Sequence, residues 1–137
     1  MYTHEHKHRA IYADTDQMGV VYYGNYARFF EIGRTEALRA LGIAYADLEK
    51  NGIIMPVTRM NTKYLRSILY DEIVTIRTVV KDMPSRIITF HHELKNEKGE
   101  TLCEAETQLV FMNSATKKIV QAPESLQEKF RPFFLGN

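Results

Sequence analysis

The sequence predicts an α+β domain in which one long helix lies against an antiparallel sheet. Three observations carry that prediction. A single stretch near the start of the chain, residues 22–41, repeats apolar side chains at helical spacing. Most of the chain beyond residue 52 alternates polar and apolar residues with the period of two that half-buried strands require. The connections between those stretches are short and hold turn formers, which join neighbouring strands antiparallel. Strand, helix, then four or five consecutive strands is the order of a segregated α+β arrangement.

Each element has its own reason. Residues 4–12 start polar and alternating and become apolar, which suits a first strand. Residues 13–20 hold Asp14, Thr15, Asp16 and Gly19 and read as a loop. In the helix, Tyr26, Phe30, Gly33, Ala37 and Leu41 form one stripe, widened by Phe29 and Ala40. Arg28, Glu31, Thr35 and Arg39 fall on other faces. At ~1.5 Å per residue the helix is roughly 25–30 Å long. Gly42 sits where a left-handed residue ends a helix. Gly33 in mid-stripe costs about 1 kcal/mol against alanine, so a close approach of the sheet is expected there.

Residues 44–50 form a short second helix closed by Asn51-Gly52. Residues 53–66 read as a strand with Pro56 near its start. In residues 72–82, Val74, Ile76 and Val80 oppose Thr75, Arg77 and Lys81. In residues 85–95, Ile88, Phe90, His92 and Leu94 share a side, and residues 96–99 make a hairpin connection. In residues 101–112, Ala105, Thr107, Leu109 and Phe111 face away from Glu104, Glu106 and Gln108. A short strand near 117–121 and a final helix from Pro123 to about Phe130 complete the order.

Length and composition bound the rest. Residues 1–137 read as one unit, without repeat, low-complexity tract or linker. Apolar residues make up 45% and charged residues 26%, ordinary for a globular chain and against disorder. A net charge of +1 gives no broad surface for nucleic acid or membrane. No apolar run reaches a membrane span, and the polar N-terminus lacks the apolar core of a secretory signal. The single cysteine, Cys103, fits a reducing compartment. The expected location is the cytoplasm.

The chemistry concentrates in Asp14-Thr15-Asp16-Gln17-Met18-Gly19-Val20-Val21-Tyr22-Tyr23-Gly24-Asn25-Tyr26. Two carboxylates precede a helix whose first N–H groups are unpaired and whose dipole end is positive. A carboxylate beside such an oxyanion site suffices for hydrolysis of an ester or thioester. From composition alone the bland alternative is favoured, that both aspartates cap and shape the turn.

This run, followed by Phe29-Phe30-Glu31 and Arg34, resembles the signature of the 4-hydroxybenzoyl-CoA thioesterase family and its YbgC-like relatives, with weaker similarity through Tyr64 and Tyr70-Asp71. The resemblance implies a hotdog fold, a long helix wrapped by an antiparallel sheet, and hydrolysis of acyl-CoA or acyl carrier protein thioesters. It implies Asp16 as the catalytic carboxylate and the backbone N–H near Tyr23 as the group polarising the carbonyl. It implies Gly19, Val20, Asn25 and Arg86 in substrate binding, with Arg86 toward coenzyme A. It also implies homodimers or homotetramers with active sites at the subunit interface, with no metal and no cofactor beyond the coenzyme A of the substrate. Many YbgC-like members carry a histidine where this chain has Tyr23. Two other readings stay open, a hotdog 3-hydroxyacyl-thioester dehydratase, for which His92 is the obvious histidine, and a non-catalytic acyl-thioester binding protein.

Other reactive side chains have plainer readings. His4, His6 and His8 share one face of a strand but lack an identifiable further ligand, so an exposed strand face is expected. His91 and His92 point to opposite faces, as core or surface residues. Cys103 lacks a partner pattern and reads as a structural thiol. Arg59, Lys63, Arg66 and Arg86 are candidates for coenzyme A phosphates, with solvated strand faces as the usual alternative.

Overall fold

The computed structural model describes residues 1–135; the last two residues of the 1–137 unit lie outside the described residues. Strand β1 (Tyr2–Arg9) leads through a loop to helix α1 (Tyr26–Ala40) and the short helix α2 (Tyr45–Lys50). Beyond them come β2 (Ile53–Ile54), β3 (Val57–Tyr64), β4 (Ile73–Val80), β5 (Ile87–Lys95), β6 (Thr101–Val110), β7 (Met112–Asn113) and helix α3 (Glu124–Phe130). Five strands form one antiparallel sheet in the order β1-β4-β5-β6-β3, and β2 pairs with β7 apart from it.

Helix α1 lies over β1, β4 and β5, and Gly33 is where it comes closest. A Cβ there would stand 2.6 Å from Ile76 Cγ2 and 2.7 Å from Thr78 Oγ1, so the expected close approach is present. Two apolar clusters fill the interface. Tyr26, Phe29, Phe30, Ile76 and Leu94 pack under the first half of α1. Ala37, Leu38, Phe90, Phe111 and Phe130 pack under the second half, where α3 closes the layer. Gly42, at φ +84°, ends α1 as its place in the sequence predicts. With one long helix held against a curved antiparallel sheet, this is the hotdog arrangement.

Several boundaries differ from expectation. Strand β1 ends at Arg9, because Ala10 is drawn into bonds with the β4 approach: its N–H donates to Glu72 at 2.9 Å and its carbonyl accepts from Asp71. Helix α1 begins at Tyr26 rather than 22, after a 3₁₀ turn at Tyr23–Asn25. Tyr22 is extended (φ −62°, ψ 129°) because its N–H donates to the Asp14 carbonyl at 3.1 Å. The 15 residues of α1 span about 22 Å. Proline breaks the expected strand 53–66 into β2 and β3, and the stretch near 117–121 makes one isolated bridge, Met112 to Ile119.

The buried stripe of α1 also departs from the pattern. Ala40 is exposed, whereas Arg34 is buried beside Gly33. His4, His6 and His8 are half-buried rather than exposed, because α1 covers their face of β1. His8 packs its ring 5.3 Å from Phe29.

Candidate active site

The loop between β1 and α1 folds into a small knot held by backbone bonds. Thr15 and Val21 pair antiparallel, as do Val20 and Leu69. Val21 donates to Ile68 at 2.7 Å, and Tyr70 donates to Gly19 at 3.0 Å. Gly19, at φ +79°, supplies the left-handed residue of the turn, and its N–H returns to the Asp16 carbonyl at 3.2 Å. These bonds tie the loop to the chain between β3 and β4 and leave little freedom in where Asp16 points.

The two aspartates differ in environment. Asp14 is fully buried. Its Oδ2 accepts from the Ile11 N–H at 3.0 Å and its Oδ1 is ion-paired with Arg28. Its carbonyl accepts from Tyr22 at 3.1 Å and from Asn25 Nδ2 at 2.9 Å. Asp14 therefore shapes the loop and the approach to α1. Asp16 is half-buried, and its Oδ1 accepts from the Met18 N–H at 2.8 Å. Its Oδ2 has no hydrogen-bond donor among the described residues.

Asp16 opens into a cleft of about 540 Å³. Val20 and Tyr23 line it from the loop, Tyr26 from α1, Tyr64 from the end of β3 and Arg66 from the segment after it. The Tyr23 N–H, with that of Gly24 next to it, leads the 3₁₀ turn, and neither has an acceptor among the described residues. The Tyr64 hydroxyl donates to the Tyr23 carbonyl at 3.4 Å, and its ring stands edge-on to Tyr26 at 4.9 Å. The cleft thus brings together Asp16, Tyr23 at the lead-in to the helix, and aromatic walls. That set can hold a polarised carbonyl against a carboxylate.

The sequence candidates divide accordingly. Asp16, Val20 and Tyr23 come together at the cleft, while Gly19 and Asn25 support its loop. Arg86 does not join them: it precedes β5 and bonds to Phe111 through its carbonyl, at the far end of the sheet from Tyr64. Of the four basic candidates, Arg66 lines this cleft. Tyr26 and Tyr64 as cleft walls were not singled out from sequence. The pairing of Tyr64 with Cys103, which sets it at the β3 end, depends on strand register.

The remaining reactive groups are structural. His92 is buried between Thr78 Oγ1 at 3.3 Å and Thr107 Oγ1 at 3.1 Å, stacked on Phe30. Burial, with the nearby charge of Arg34, pushes it from its ordinary 6.5 down to about 3. Burial pushes the Cys103 thiol up to about 12, which keeps it an inert thiol.

Comparison with known proteins agrees with this architecture. A family model described as the Thioesterase-like superfamily matches residues 12–130. YneP of Bacillus subtilis (strain 168), provisionally named an acyl-CoA thioesterase, is 33% identical over 110 residues, 80% of each chain. The acyl-CoA thioester hydrolase YbgC of Escherichia coli O6:H1 is 29% identical over 123 residues, covering 90% of this chain and 92% of the relative. The crystal structure of a DHNA-CoA thioesterase from Staphylococcus aureus superposes with a TM-score of 0.91 at 37% identity, covering 97% of this chain and 91% of that one. A match over most of the chain, with the Asp16 loop inside the matched residues, settles the family: this chain belongs to the thioesterase-like superfamily.

Proposed function

We propose that the protein hydrolyses acyl-CoA thioesters, with Asp16 as the catalytic carboxylate. One observation carries the reading: Asp16 and Tyr23 line the same cleft, and among the described residues one Asp16 oxygen and the Tyr23 N–H have no hydrogen-bond partner. In this scheme the Tyr23 N–H polarises the thioester carbonyl and stabilises the oxyanion that develops on it. Asp16 either attacks the carbonyl carbon, forming a mixed anhydride and releasing the coenzyme A thiolate, or orients the attacking water. Val20 forms the near wall, while Gly19 and Asn25 hold the loop in register. Acyl carrier protein thioesters present the same reacting group. No metal or separate cofactor enters, since coenzyme A belongs to the substrate.

The proposed working unit is a homodimer, or a homotetramer built from it, with each cleft completed at the subunit interface. Strand β3 supports this, because it is a sheet edge exposed along nearly its whole length. Among the described residues no helix is long and apolar enough to cross a membrane. A buried free thiol suits the reducing cytoplasm, which we propose as its compartment. The dehydratase alternative loses its histidine, since His92 is sealed in the core.

Thiol release measured over a panel of acyl-CoAs tests the activity. Asp16→Asn should remain folded and lose at least about 10²-fold in kcat. Asp14→Asn should keep more turnover per folded molecule but lose about 1–3 kcal/mol of stability, because a buried bonding partner is altered. If folded Asp14→Asn were the more damaged in turnover, the catalytic assignment of Asp16 would fail.

A further inference from the structure

The N–H that the thioesterase reading assigns to the substrate carbonyl sits on an exposed turn. Tyr23 is 64% exposed, and it opens the 3₁₀ turn Tyr23–Asn25 ahead of α1. Such turns have poorer hydrogen-bond geometry than an α-helix, and helix ends fray. An oxyanion donor is effective when its direction is set before the reaction. The loop sets part of that direction. The Tyr22 N–H and Asn25 Nδ2 both donate to the Asp14 carbonyl, at 3.1 and 2.9 Å. Those bonds fix residues 22 and 25 but do not touch Tyr23 itself.

Tyr23 is held from the sheet. The Tyr64 hydroxyl donates to its carbonyl at 3.4 Å, beside the bond that the same carbonyl accepts from the Tyr26 N–H. Among the described residues this is the one side-chain hydrogen bond between β3 and the turn. Both tyrosines line the Asp16 cleft. Tyr64 is itself firmly placed. It stands opposite Cys103 in the β3–β6 pair, and the next two residues, Leu65 and Arg66, donate to the Leu102 carbonyl at 2.9 and 3.0 Å. Its ring stands edge-on to Tyr26 at 4.9 Å and to Tyr23 at 6.1 Å. The bond to Tyr23 is long for a hydroxyl donor, so it acts as a restraint on the turn rather than as a strong attraction.

Resting on the thioesterase reading above, we infer that Tyr64 is a positioning residue for the hydrolysis: its hydroxyl, bonded to the Tyr23 carbonyl, holds the turn so that the Tyr23 N–H meets the thioester carbonyl. Tyr64 touches no reacting atom in this role. Its ring is a wall of the cleft, and its hydroxyl acts through Tyr23. Binding of the substrate needs the wall, whereas stabilising the developing oxyanion needs the restraint. The hydroxyl therefore matters to turnover more than to affinity.

The test measures thiol release from an acyl-CoA by the full chain, by Tyr64→Phe, by Tyr23→Pro and by the double variant. Tyr64→Phe keeps the ring and removes the bond. Its kcat should fall about fivefold to tenfold, less than the ~10²-fold that a misplacement of 1 Å can cost, with KM within about twofold. In Tyr23→Pro the N–H is gone, so adding Tyr64→Phe should lower kcat no further, because both changes act on one interaction. The same loss in both backgrounds would mean that the hydroxyl supports the structure generally, and would overturn the inference. A Tyr64→Phe that turns over like the parent would also overturn it; in both cases release by the parent leaves the thioesterase standing. If Tyr23→Pro does not fold, or is too slow to measure, the carbonyl stretch decides. An acyl-CoA isotopically labelled at its carbonyl carbon and bound to Asp16→Asn should show its infrared band below the frequency in water. Adding Tyr64→Phe should move the band back toward that frequency, and an unmoved band would overturn the inference. No thiol release by the parent from any acyl-CoA would instead remove the activity on which it rests.

Discussion

At the scale of single residues, Asp14 and Asp16 show how little separates a structural carboxylate from an available one in sequence. Both precede a helix, and composition alone assigns both to the turn. The difference is that Arg28 and the Ile11 N–H occupy both oxygens of Asp14, whereas among the described residues only one oxygen of Asp16 has a hydrogen-bond donor, the Met18 N–H. No local pattern encodes that; the family resemblance pointed to Asp16. The proposed role of Tyr23 has a sharp test. Tyr22 before it is already extended at ψ 129°, the conformation that a succeeding proline requires, and the Tyr23 N–H has no acceptor among the described residues to lose. Tyr23→Pro should therefore keep its circular dichroism and size while kcat falls by about 10²–10³, with KM changed less. Tyr23→Phe should keep most of its kcat; a dead Tyr23→Phe would move the chemistry to the phenol. His92 gives a prediction about stability. Burial first, then the charges of Arg34 and His91, lower it from 6.5 to about 3, so the fold favours the neutral ring. Its contribution is fully present above about pH 6.5 and is lost as pH falls toward 3, on the order of 5 kcal/mol in all. Urea unfolding between those pH values should show the decline, and His92→Gln should flatten much of it. An unchanged acid limb in the variant would place the titration elsewhere.

At the scale of elements, the period of the apolar residues carried most of the information. The alternation in β4, β5 and β6 and, Ala40 apart, the stripe on α1 place the right side chains inside, because burial on one face demands those spacings. The ends were less legible. The bonds from Tyr22 and Asn25 to Asp14 delay the start of α1, and those partners lie far back in the chain. Arg34 was invisible as an interior residue, since nothing in a helical pattern announces a buried arginine. Gly33 was legible, and its reason can be measured. Alanine there gains about 1 kcal/mol in helix propensity. Its Cβ would meet Ile76 Cγ2 at 2.6 Å and Thr78 Oγ1 at 2.7 Å, and both lie on a central strand that cannot easily retreat. Overpacking of this kind costs about 1–3 kcal/mol or more, so Gly33→Ala should be less stable than the parent in denaturant unfolding. A more stable Gly33→Ala would mean that helix and sheet separate freely, against the packing described.

At the scale of the whole molecule, the separation of Arg86 from the cleft becomes informative. Cys103 pairs with Tyr64 at the cleft end of the sheet, and Val110 pairs with Ile87 beside Arg86 at the other. Seven residue steps of β6 separate them, about 23 Å at ~3.3 Å each. One chain therefore cannot bring its own Arg86 to its own Asp16. The exposed edge of β3 offers a way round this. Two copies joined antiparallel along β3 would run their sheets in opposite directions, setting the cleft end of one near the Arg86 end of the other. Coenzyme A phosphates could then meet Arg86 of the partner subunit while the thioester lies at Asp16. The prediction is complementation between two defective chains. Asp16→Asn homodimers should be inactive, and Arg86→Ala homodimers should show a raised KM. Co-expressed, they form mixed dimers in which one site combines an intact Asp16 with an intact Arg86 from the other chain. That site should restore turnover at low substrate, to about half of the parent per mixed dimer. If each site drew both residues from one chain, every site in the mixed dimer would carry a defect and no restoration would appear. Light scattering must first show dimers or larger assemblies at micromolar concentration. A fully active monomer, or mixed dimers without recovery, would overturn the shared site.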